Sequence, residues 1–197
     1  MRLALMRGAA ARWLAVMGLG LVAAIQAHAV GGPQGATVAP GAKIELSDVR
    51  WLEKVARAGI GEVELGKLAA TQGKAEQVRS YGQTMVDDHT KGNEELRRLA
   101  ESKGVLLPDK ADNAQQRLMK RLVGLKDEKF DKAYIDNAGA KLHTDLGKLF
   151  QDGMDKLKDP DLKDFAAKGL PQVKRHFDMS REIISKMGPP PKHAQGK

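Results

Sequence analysis

The sequence predicts an all-α protein, an antiparallel four-helix bundle with a short extra helix in its crossover. Three observations predict it. Aromatic residues make up 4% of the chain against 42% hydrophobic, so the core must be built from Ala, Leu, Val, Ile and Met, a composition that suits helices better than strands. No stretch alternates apolar and polar residues over six positions between turn signals, which also excludes an outer-membrane barrel. Apolar residues recur instead at helical spacing through most of Ser47 to Met187.

The elements follow in order. Arg2, Arg7 and Arg12 precede an uncharged apolar run from Trp13 to Ile25, and Ala27-His28-Ala29 supplies a small-x-small cleavage pattern. Residues 1–29 therefore read as a signal peptide cut after Ala29, and the run is too short for a comfortable bilayer span, which needs about 20 residues. The expected address is the periplasm, with no stable membrane span after cleavage. Residues 30–46, rich in Gly, Pro and Ala, read as a disordered linker, and residues 188–197 as a disordered tail.

Between them, residues 47–187 form the bundle. Ser47 or Asp48 is placed to cap a first helix that runs to Gln72, with Gly73 as breaker. A second helix spans Lys74 to Lys103 and ends at Gly104, suited to a left-handed cap. A turn at Leu107-Pro108-Asp109 leads to a short helix with Leu118, Leu122 and Leu125 on one face. Asp127 starts a long helix reaching Lys158, and Pro160 opens a last helix to Met187, expected to bend at Pro171. Two hairpins joined by one long connection are the ferritin-like arrangement of a bundle.

Charge and cysteine content exclude several classes. There is no Cys, so disulfides, thiolate metal ligands and a lipoprotein anchor are ruled out. The net charge of +8 includes the three leader arginines, so the processed chain carries +5, with both signs interleaved. That is a solvated helical surface rather than a nucleic-acid face. There is no phosphate-binding Gly-rich loop and no Gly-x-Ser-x-Gly nucleophile turn.

The informative residues interrupt the apolar stripes. Glu62 lies among Trp51, Val55, Ala58, Leu65 and Ala69, and His89 among Val78, Met85, Leu96 and Leu99. His143 or Leu142 falls with Ile135, Leu146 and Phe150, and His176 with Phe165, Val173 and Ile183. His143 lies 16 residues before Asp159 and His176 lies 17 after it, which puts both about 24 Å from the turn. His89 and Glu62 sit 16 and 11 residues from Gly73, a mismatch of about 7–8 Å. Glu62, His89, His143 and His176 thus predict one polar layer near mid-bundle.

Three imidazoles and a carboxylate suit a transition metal such as Zn, Cu, Ni or Fe, with Met85 and Met179 as nearby thioethers. The same groups could instead hydrogen-bond one another and fix helix register. Glu64 diverges from Glu62 by about 200° on the helix, so only one of them faces the centre. Asp87 reads as solvated, and Asp88 is open between a solvated charge and a partner for a histidine ring.

Glu62-Val63-Glu64-Leu65-Gly66-Lys67-Leu68-Ala69, then Met85-Val86-Asp87-Asp88-His89, Phe130-Asp131 with Tyr134 and His143, and Leu170-Pro171 with His176 resemble a bacterial family of exported ferritin-like proteins. That family is a domain of unknown function whose members often carry an outer-membrane-protein label. The resemblance covers Ser47 to Ile184 and implies a ferritin-like fold in an envelope setting. Di-iron bundles carry Glu-x-x-His on two helices, whereas Val86, Ala140 and Val173 precede the three histidines here, which argues against ferritin-type iron chemistry. The expectation is a non-enzymatic envelope protein in stress tolerance or metal handling. The alternatives are a metal-dependent oxidoreductase on the same layer, or a helical adaptor that binds an envelope protein partner.

Overall fold

The computed structural model describes residues 28–30 and 35–187; the expected leader up to Ala27 and the tail from Gly188 lie outside the described residues. Four long helical segments form two antiparallel hairpins packed on each other. The first hairpin is α1 (Leu46–Gln72) and α2 (Glu76–Ser102). The second is a composite segment followed by α6 (Pro160–Met187); the composite comprises α4 (Asp127–Tyr134), a π-helical segment (Ile135–Lys141) and α5 (Leu142–Lys156). The crossover between hairpins carries β3 (Val105–Leu106) and α3 (Asn113–Val123). Asp112 caps α3 through a hydrogen bond from Gln115 N at 2.7 Å, and Gly104, at φ 74°, ends the turn after α2 as expected. No described helix is long and apolar enough to cross a membrane.

Three expectations need correction. The segment taken for a disordered linker contains β1 (His28–Val30) and β2 (Ala36–Val38), antiparallel to each other, with β2 also paired antiparallel to β3. Ala36 is fully buried against the α1–α2 core, so a strand too short to show alternation is held by tertiary contact. The proposed cut after Ala29 falls inside β1 and leaves the β2–β3 pairing untouched. Next, neither Ser47 nor Asp48 caps α1: Glu45 occupies that position without a side-chain bond. The buried Asp48 instead accepts hydrogen bonds from Lys158 N and Asp159 N, at 3.0 and 2.8 Å to Oδ2, tying α1 to the α5–α6 turn. Lastly, the long helix expected from Asp127 to Lys158 runs without a gap to Lys156 but winds as a π-helix over Ile135–Lys141. Pro171, by contrast, lies within a continuous α6.

Asp131 on α4 mirrors Asp48. Its two oxygens accept from Lys74 N at 2.9 Å and Ala75 N at 2.8 Å, pinning the α1–α2 turn to the second hairpin. Each hairpin thus supplies one buried carboxylate to the other's turn, where the helix-end N–H groups have no partner of their own.

The core is divided in two. One apolar cluster gathers Trp51, Leu52, Val55, Leu96, Leu146, Phe150 and Val173; the other gathers Leu65, Tyr81, Met85, Phe130, Tyr134, Ala138 and Ile183. On each long helix a polar residue lies between its members of the two clusters: Glu62 on α1, His89 on α2, His143 on α5 and His176 on α6.

Candidate metal centre

The structure brings three of the four expected residues together. His89, His143 and His176 each present a ligand nitrogen within 4.8 Å of the other two. Their ring centroids are 5.2 to 5.7 Å apart. Glu62 is fully buried but stands outside this group. The expected height mismatch is not the reason, because Gly59 packs on Asn93 and Gly66 on Met85, which brings Glu62 level with His89. Glu64 is exposed, so the carboxylate that faces inward is Glu62.

Backbone and side-chain partners set the histidine tautomers. His143 Nδ1 donates to the carbonyl of Gly139 at 2.8 Å and lies 3.2 Å from that of Ala138, which leaves Nε2 as the bare acceptor. The π segment makes this geometry, since its wider turns offer carbonyls four and five residues back to one ring. A Cβ on Gly139 would lie 2.8 Å from Ser180 Cβ, so the segment's approach to α6 requires glycine there. His176 Nε2 donates to Asp88 Oδ2 at 2.8 Å, leaving Nδ1 bare. Arg175 Nη2 donates to the same oxygen at 2.7 Å. Tyr81 donates to the His176 carbonyl at 3.2 Å.

His89 Nε2, His143 Nε2 and His176 Nδ1 are buried and have no hydrogen-bond partner. Burial drives all three rings toward the neutral form: His143 falls to about 4, and His89 and His176 also lie below the usual histidine range, His89 well below it. At His176 the Asp88 carboxylate works against that trend, and the Arg175 guanidinium with it. The centre therefore consists of three neutral imidazoles, and outer partners fix the bare nitrogen on two of them, His143 and His176, the arrangement that metal-binding histidines show. Asp88 thus pairs with a ring, whereas Asp87 is exposed and accepts only from Gln83 of its own helix.

Glu62 has a separate environment. Neither carboxyl oxygen has a partner, and burial raises its pKa to about 8. Burial pushes both Tyr81 and Tyr134 upward, and a charge on Glu62 would add to that direction. Sequence reasoning did not assign Tyr81 to the layer, although Tyr81, Met85 and His89 follow at four-residue spacing on one face of α2. Asp88 was half legible, because its partner sits on a different helix.

Residues 33–183 match a domain of unknown function, DUF4142. The chain belongs to this family. The match spans both hairpins, the crossover and every residue of the histidine centre. Among solved structures, the DUF4142 chain is similar to the crystal structure of a "putative secreted protein DUF305" from Streptomyces coelicolor. The TM-score is 0.62 at 12% identity, with 76% of this chain and 98% of that one covered. That likeness speaks to the helical fold alone. No curated protein matches the chain.

Proposed function

We propose that this protein is an exported, non-enzymatic bundle of ferritin-like connectivity that holds one divalent transition-metal ion on His89, His143 and His176, and handles metal at the cell envelope. The observation that carries the reading is the set of three buried, unpartnered ring nitrogens in side chains that approach within 4.8 Å. A buried acceptor without a donor costs about 1–3 kcal/mol, and a shared cation would satisfy all three at once. Three neutral imidazoles suit Zn, Cu, Ni or Fe and leave a coordination position open. The leader-like N-terminus and a structural neighbour described as secreted support export. A role in envelope stress tolerance would follow from holding a redox-active or toxic ion.

Calorimetric titration of metal-free protein with Zn and Cu tests the reading. One ion should bind per chain and raise the melting temperature. His89→Ala, His143→Ala and His176→Ala should each remove most of the affinity while helicity is retained, with non-additive effects. Absence of stoichiometric binding and of any thermal shift would overturn it.

A second reading, a register-fixing polar layer, draws on the Asp88–His176 and His143–Gly139 bonds, which need no ion. Under it, His143→Leu combined with His176→Leu is neutral or stabilising, because both buried polar rings leave together.

A further inference from the structure

A cavity of about 470 Å³ opens between α1, α3 and the composite segment, lined by Glu62 and by none of the three histidines. Its volume is within the range of small-molecule sites. Two buried acceptors line it. Glu62 contributes a carboxyl with neither oxygen partnered, and Gln115, 3% exposed, contributes an unpartnered Oε1. The amide of Gln115 is oriented by its Nε2, which donates to Ala58 O at 3.0 Å, so the oxygen is the atom left over. Leu118, Leu142, Leu146 and Leu149 supply aliphatic walls. Exposed Lys54, Arg117, Arg121 and Lys141 also line it, Lys141 being paired with Asp145 at 2.7 Å.

Each zone selects a different part of a ligand. Buried acceptors call for a donor, because leaving them unmet is costly. Aliphatic walls favour methylene groups, at about 0.8 kcal/mol per CH₂ buried. The cations favour a carboxylate or similar anion. We propose that this cavity binds a small aliphatic anion with a hydrogen-bond donor at its far end, the donor meeting Glu62 and Gln115 Oε1 and the anionic head meeting Lys54, Arg117 and Arg121. Burial keeps Glu62 protonated at neutral pH, so no buried negative charge repels such an anion. The site goes beyond the metal reading and shares no ligand with it.

The test is calorimetric titration of the metal-free full chain with 8-hydroxyoctanoate and with octanoate. The hydroxy acid should bind in the micromolar range and octanoate about tenfold more weakly, the cost of one lost hydrogen bond. Glu62→Leu and Gln115→Met should each reduce that preference. Arg117→Ala with Arg121→Ala, both at the surface, should weaken both anions equally and keep the preference. Equal affinity for the two acids, no binding of either, or a preference unchanged in both Glu62→Leu and Gln115→Met would overturn the proposal.

Discussion

Glu62 is the residue where burial and ionisation conflict most sharply. Its carboxyl is pushed up to about 8 from the ordinary 4.5, so the folded chain keeps a proton that the unfolded chain releases. The sign follows from linkage. The conflict is absent below pH 4.5, where both states are protonated, and stability then falls as pH rises toward 8. Glu62→Gln should flatten that limb and raise the melting temperature at pH 8, read from thermal melts between pH 4.5 and 8. His143 acts in the opposite direction. Lowered to about 4 from 6.5, it favours the folded state above pH 6.5 and loses that contribution as pH falls to 4. Which glutamate enters the core was not legible, because Glu62 and Glu64 both sit beside apolar neighbours in the sequence. Only the rotation of α1 against α2 separates them.

At the scale of the element, the sequence carries helix type well and helix geometry poorly. Stripes at three- and four-residue spacing locate all four long segments to within a few residues. They cannot register the wider turns over Ile135–Lys141, because Ile135, Ala138 and Leu146 fit an inward stripe either way, and only the winding puts His143 rather than Leu142 inside. Yet the π segment aims His143 at the layer. Gly139→Ala would set a Cβ 2.8 Å from Ser180 Cβ, and α6 or the segment would have to shift. The expected cost is about 1–3 kcal/mol by urea denaturation, with weaker metal binding because the Gly139 carbonyl holds the His143 ring. The buried aspartates were equally invisible, since their partners are backbone N–H groups distant in sequence. Asp131→Ala would strip acceptors from Lys74 N and Ala75 N, and should cost about 2–4 kcal/mol by the same measurement.

Across the whole molecule, the histidine layer separates two apolar clusters and joins two hairpins. The level of His143 and His176 was legible from their equal distances to the turn at Asp159, since two antiparallel helices share one rise per residue. The strands β2 and β3 were not legible, because two- and three-residue strands carry no alternation and owe their order to the core beneath them. His89 belongs to the first hairpin, and His143 and His176 to the second, so an ion bound to all three would cross-link the halves. Such an ion binds only the folded state, and at a hundredfold excess over Kd it would add about 2.7 kcal/mol to global stability. Asp88 sits at that joint, accepting from His176 Nε2 across the α2–α6 contact. Asp88→Asn keeps an acceptor for the ring but removes the charge that makes it a stronger ligand. The melting temperature of the metal-free variant should change little, whereas metal affinity should fall about tenfold or more and the metal-induced rise should shrink. A rise that is unchanged in Asp88→Asn, with affinity intact, would mean that the ion does not draw on the Asp88–His176 bond, and that any link between the hairpins runs through His89 and His143.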